Sequence, residues 1–119
     1  MRDFRDLLVW QKAHRLTLDV YRATKSFPAE ERFGLTAQLR RSAASVPTNI
    51  AEGCGRDGKR DFARFLSIAA GSASEVEYHL MLARDLEYLP SLTDDQLHGL
   101  VTEIKKMLAA LHRKLTAEG

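Results

Sequence analysis

The sequence has 119 residues, 45% hydrophobic and 29% charged, with seven Gly, three Pro and one Cys. That composition fits one domain over 1–119 with a single core, and it excludes a disordered chain, a fibrous repeat and a disulfide framework. Eighteen basic against sixteen acidic residues leave +2, a weak lean toward polyanions.

No uncharged stretch approaches the roughly 20 apolar residues that a membrane helix needs. The opening Met1-Arg2-Asp3-Phe4-Arg5-Asp6 has no apolar signal core. A cytoplasmic protein without membrane contact is therefore expected.

No strand-like alternation and no internal repeat interrupts the pattern. Three groups of helix breakers, Ser26-Phe27-Pro28, Gly53-Cys54-Gly55 through Gly58, and Leu89-Pro90-Ser91, divide the chain into four helices. Asp6 is a candidate cap for the first, whose apolar stripe is Trp10, Ala13, Thr17, Val20, Tyr21 and Thr24. The second carries Leu35, Leu39, Ala43, Val46 and Ile50. Its spacing runs straight through Pro47, which predicts a continuous helix kinked there, with Ser42 and Ser45 helping to satisfy the freed backbone and Gly53 closing the helix in the left-handed conformation.

The third helix, about 30 residues and roughly 45 Å long, has Phe62, Phe65, Ala69, Ala73, Val76, Leu80 and Ala83 on its stripe. It also has apolar flanks, Ile68, Leu82 and Leu86 on one side and Ala63, Ala70 and Met81 on the other. Thr93-Asp94-Asp95-Gln96 reads as a capping box for the fourth helix, with Leu97, Leu100, Ile104, Met107, Leu108, Leu111 and Leu115 inside. Short connections favour an all-α, antiparallel up-down-up-down four-helix bundle. The surplus apolar surface of the third helix predicts self-association through faces of helices one and three.

Charge is uneven along the chain. Residues 1–26 carry +3 and residues 75–101 carry −5, an asymmetry that can orient a partner or a second copy. Arg40, Arg41, Arg56, Lys59, Arg60 and Arg64 are the candidate nucleic-acid contacts, because phosphate affinity comes from counterions displaced by repeated cations. One subunit offers few of them; assembly would repeat them as a ring of basic loops.

The small residues around Ser42 and Gly53, facing Gly71-Ser72-Ala73-Ser74, predict a close helix–helix approach. Ser42, Ser45, Asn49, Glu52, Ser72 and Glu75 would form a polar network along it. A ligand pocket built from Asn49, Glu52 and Glu75 is the alternative use of the same groups.

Little points to catalysis. His14, His79, His98 and His112 never pair at a four-residue spacing, so no metal site is expected. Cys54 has no neighbouring His to activate it, and Gly53-Cys54-Gly55-Arg56-Asp57-Gly58-Lys59 lacks phosphate-loop spacing. No catalytic residue, cofactor or small-molecule substrate is expected. Two classes stay open: an RNA-linked or nucleic-acid-enzyme-linked binding module, and a protein-interaction scaffold without nucleic-acid binding.

Arg41-Ser42-Ala43-Ala44-Ser45-Val46-Pro47-Thr48-Asn49-Ile50-Ala51-Glu52-Gly53, then Phe62-Ala63-Arg64-Phe65-Leu66 and Ala70-Gly71-Ser72-Ala73-Ser74-Glu75-Val76-Glu77, resemble the four-helix-bundle proteins encoded by intervening sequences of 23S ribosomal RNA genes. Leu8-Val9-Trp10-Gln11-Lys12-Ala13 and Phe33-Gly34-Leu35 fit as well. The resemblance spans about Asp6 to Leu89, and helix four matches only as an amphipathic helix. It implies a homopentamer. A related bundle, the accessory protein of diversity-generating retroelements, is a basic pentamer that acts with a reverse transcriptase; this chain departs from it in being only mildly basic.

Overall fold

The computed structural model describes residues 3–117, and all regular structure among them is helical. The four helices are α1 (Leu8–Thr24), α2 (Leu35–Cys54), α3 (Lys59–Asp85) and α4 (Ser91–Ala117). Single 3-10 turns at Phe4–Asp6 and Ala29–Glu31 precede α1 and α2. The molecule measures 46 × 23 × 20 Å, and the 27 residues of α3 account for about 40 Å of that length.

α2 packs on α1 and α3, and α4 packs on α3 and α1, whereas the α1–α3 and α2–α4 diagonals do not touch. The core is therefore a column with one stripe from each helix. All five stripe residues expected of α2 are buried, and Val76, Leu80 and Ala83 of α3 meet Val101, Ile104 and Leu108 of α4 in the same cluster.

In α1 the buried side lies one step round from the expected stripe. Val9, Ala13, Leu16, Val20 and Thr24 are buried, Trp10 is half-buried, and Tyr21 faces solvent. The buried set keeps a strict three-four spacing with branched aliphatics, while Trp10 and Tyr21 keep polar edges at the rim. In α3, Ala63 belongs to the core, but Ile68, Met81 and Leu86 stay exposed.

Three helix ends differ from expectation. Asp3, not Asp6, caps the first turn, accepting from Arg5 N at 2.9 Å, and α1 starts after the extended Leu7. α4 starts at Ser91, so Thr93 is its third residue and no cap; Asp94 N already donates to Pro90 O at 3.0 Å. Gly53 lies inside α2, and among the described residues no glycine has a positive φ. Its bare Cα is required by close approach instead, because a Cβ there would sit 2.8 Å from both Phe62 Cδ1 and Phe65 Cβ.

Pro47 sits inside α2 and is buried. It has no N–H for the Ala43 carbonyl one turn earlier. The Thr17 hydroxyl of α1 lies 3.1 Å from that oxygen and 3.0 Å from Ala13 O. Ser42 and Ser45 do not take this role: Ser42 donates to Leu39 O, and Ser45 meets Ser72.

Candidate nucleic-acid interface

The six candidate cations fall into two groups. Arg40 belongs to the α1–α2 contact. Its Nε donates to Thr24 Oγ1 at 2.8 Å, its Nη2 to Tyr21 O at 3.3 Å, and its guanidinium lies 4.7 Å from the Tyr21 ring centre. Arg41 is exposed beside it. Arg40 lies fourteen positions, or about 21 Å, before the end of α2 at Cys54, beyond which Arg56 stands.

Arg56, Lys59, Arg60 and Arg64 gather at the turn from α2 to α3, where every residue from Gly55 to Arg60 is exposed. Arg56 and Arg64 both lie over Phe65, at 4.9 and 4.4 Å from its ring centre. Both also reach Asp61, at 3.7 and 2.8 Å, and Arg56 reaches Glu52 at 3.5 Å. Exposed ion pairs of this kind contribute about 0–1 kcal/mol each. They hold the guanidiniums in place at little energetic cost to exchange, and the ring adds a cation–π attraction for each.

Two further cations share this end. Phe4, next to Arg5 in sequence, lines one groove with Glu52, the Arg5 guanidinium itself being paired with Asp3 at 3.1 Å, and Arg113 lines another with Leu66 and Ser67. Neither is near the turn in sequence. The signal that would find them is topological: in the antiparallel arrangement expected from the short connections, the start of α1, the end of α2, the start of α3 and the end of α4 would share one end. The opposite end gathers Glu30, Glu31, Asp85 and Glu87, its two loops tied by Tyr88 Oη donating to Glu31 Oε2 at 3.0 Å.

The expected polar network is partly assembled. Ser45 and Ser72 hydroxyls meet at 2.9 Å across the α2–α3 seam, and Asn49 Nδ2 donates to Ser45 O at 2.8 Å and to its hydroxyl at 3.0 Å. Glu52 turns away to Arg56. Ser42 instead meets His79 Nδ1 at 3.3 Å, and His79 Nε2 lies 4.0 Å from Glu75. His79 was not among the expected members. Its place three residues after Val76 and four before Ala83, on the core side of α3, is the signal that marks it.

His79 and Ser42 are both buried, so their contact closes the seam and does not face a cleft. Burial pushes the imidazole below its ordinary value of 6.5, and Glu75 works weakly the other way. The unfolded chain thus binds a proton more readily than the folded one. Unfolding free energy is expected to be flat in this group's contribution above about pH 6.5 and to fall as pH drops below it. Urea titrations from pH 7.5 to 5 on the wild type and His79→Gln check this: the difference between the two should shrink or reverse on acidification, and parallel profiles would contradict it.

Among the described residues no cluster of three or more His, Cys, Asp or Glu gathers to hold a metal ion, and no helix is long and apolar enough to cross a membrane. A comparison with curated proteins finds no match. Among solved structures, the crystal structure of a protein of unknown function from the S23 ribosomal protein family of Bacteroides thetaiotaomicron is similar, with a TM-score of 0.80 and 27% identity. That likeness covers 89% of this chain and 99% of the other. The sequence matches the 23S rRNA-intervening sequence protein family over residues 5–110, well into α4 and past the segment that carries the recognisable motifs, and the chain belongs to that family.

Proposed function

We propose that this protein is a non-enzymatic, self-associating bundle that binds structured RNA through the basic end at the α2–α3 turn. The observation that carries the reading is the Arg56–Phe65–Arg64 stack, which presents two guanidiniums beside Lys59 and Arg60 on a fully exposed turn. Arg40 drops out of the contact set because it lies at the α1–α2 contact, about one helix length from the turn, with Nε and Nη2 bound to Thr24 and Tyr21. Arg41 lies about one helix length away and makes at most a peripheral contact.

The bundle is proposed to be antiparallel, up-down-up-down. Support comes from the order of paired residues: Thr17 meets Ala43 and Tyr21 meets Arg40, while Ser42 meets His79 and Ser45 meets Ser72. α2 is proposed to kink at Pro47, where one helical hydrogen bond is missing. Self-association rests on Ile68, Tyr78 and Met81, apolar and exposed along α3. In the homopentamer that the family resemblance implies, five basic ends form one ring, on an assembly whose net charge is +10 from five chains of +2.

Fluorescence anisotropy with a structured RNA, followed from about 50 to 200 mM salt, tests the reading. The slope of log affinity against log salt should be steeper than about −3, as expected when several phosphates are neutralised. Replacing Arg56, Lys59 and Arg60 together with Gln should flatten it. Absence of binding at the low-salt end would overturn the RNA reading and leave the protein-interaction scaffold; an unchanged slope in the triple variant would move the site elsewhere.

A further inference from the structure

The residues that α1 and α3 leave outside form two matched rows. Leu8, Leu18 and Tyr21 stand exposed on α1, and Ile68, Tyr78 and Met81 on α3. Leu18 and Tyr21 follow Leu8 by ten and thirteen positions; Tyr78 and Met81 follow Ile68 by the same ten and thirteen. The charges keep step with them. Arg15 and Lys25 lie seven and seventeen positions after Leu8, and Glu75 and Asp85 lie seven and seventeen after Ile68. All four are exposed. At about 100° per residue each set occupies less than half of its helix circumference, so each is a face.

The two faces are also level. Thr17 of α1 meets Ala43 of α2, and the adjacent Ser42 meets His79 of α3. Leu18 and Tyr78 therefore stand at one height along the bundle. Because α1 and α3 do not touch, their outer faces point to different sides of the molecule.

We propose that the α1 row of one copy of this chain packs along the α3 row of a second copy, with Arg15 opposite Glu75 and Lys25 opposite Asp85. The proposal rests on the self-association reading above and names its surfaces and register. A rotation about an axis parallel to the bundle keeps the rows level, brings Leu8 to Ile68, Leu18 to Tyr78 and Tyr21 to Met81, and sets Arg15 and Lys25 against Glu75 and Asp85, while Arg22 of the same face keeps its own Asp19 at 3.0 Å. The current partners of these charges are Asp19 for Arg15 at 3.7 Å, Arg84 for Asp85 at 3.3 Å and the buried His79 for Glu75 at 4.0 Å, and at these exposed or half-exposed positions such pairs exchange readily. Since the two surfaces differ, every copy offers one of each. The contact is heterologous, and it repeats until rotation closes a ring.

Charge exchange tests this pairing by sedimentation velocity, with circular dichroism confirming that each variant folds. Arg15→Glu with Lys25→Glu, and separately Glu75→Lys with Asp85→Lys, should each weaken assembly by about tenfold or more, since like charges then face one another. All four substitutions in one chain restore opposite signs across the contact and should return assembly to near the wild-type level. A wild type that sediments as a 13.4 kDa monomer would overturn self-association itself. An assembling wild type whose two reversed variants assemble equally well would leave self-association standing and overturn this pairing, as would a fourfold variant that stays dissociated.

Discussion

Replacing Gly53 with alanine is expected to destabilise the protein by about 1–3 kcal/mol or more, although the same change elsewhere in its helices should stabilise it. In an open helix interior, alanine gains close to 1 kcal/mol over glycine, because glycine loses more backbone freedom on folding. At Gly99 and Gly71 a Cβ would meet nothing within 4 Å, so that gain should appear; Gly99→Ala is the cleaner control, since Gly71 lies on the outer face of α3. At Gly53 the new carbon would sit 2.8 Å from Phe65 Cβ, an atom fixed to the α3 backbone, and 3.3 Å from Phe62 O. Neither can yield by rotating a side chain, so α2 and α3 must separate at the end that carries the basic turn. Urea unfolding at one protein concentration reads both variants. A Gly53→Ala protein as stable as Gly99→Ala would mean that the two helices do not approach this closely. The same variant should weaken RNA binding if Phe65 positions Arg56 and Arg64, because the ring moves with α3.

That glycine also shows where the sequence was legible and where it was not. The stripe of α2 could be read from spacing because its alternatives are polar or tiny: Leu35, Leu39, Ala43, Val46 and Ile50 leave one apolar side only, and all five are buried. In α1, two candidate stripes overlap. Trp10 and Tyr21 weigh heavily in a hydropathy pattern, yet large rings with polar edges suit the rim, and Val9 and Leu16 fill the core. Helix ends were less legible, because several residues at each boundary can cap. Asp3 and Asp6 are equally good acceptors by type, and only the 3-10 turn of Phe4–Asp6 decides between them. The end of α3 gave no glycine to mark it. Glu87 takes the left-handed position at φ 64°, while Glu87 N and Tyr88 N donate to Arg84 O and Ala83 O.

Long-range pairings were the least legible. The four cations of the α2–α3 turn are neighbours in sequence, so the sequence alone brings them together. Arg40 resembles them by type only, and its hydrogen bonds to Thr24 and Tyr21 depend on how α1 lies across α2. The seam showed the same division. Small residues in both strips signal close approach, but which serine meets which partner depends on helix rotation, so spacing points to Glu52 where the folded seam uses His79.

The cooperation of Thr17 with Pro47 leads to a prediction in the form of a double-mutant cycle. Thr17→Val keeps the shape and removes the hydroxyl that lies 3.1 Å from Ala43 O. That carbonyl is the one left without a helical donor by the proline, so the substitution should cost about 1–3 kcal/mol, the penalty of an unpaired buried acceptor. Pro47→Ala returns a backbone N–H to position 47, and Ala43 O then has a donor within its own helix. In that background Thr17→Val should cost about 1 kcal/mol less, and the two changes should couple rather than add. Additive effects would mean that the hydroxyl serves only Ala13 O, its second neighbour at 3.0 Å. Coupling would give the proline a physical role in the bundle. A helix of 20 residues tolerates it because a neighbouring helix supplies the missing donor, and that donor in turn fixes where α1 lies along α2. The height of α1, and with it the register of its outer row against a second copy, would then depend on a bond that α2 cannot make for itself.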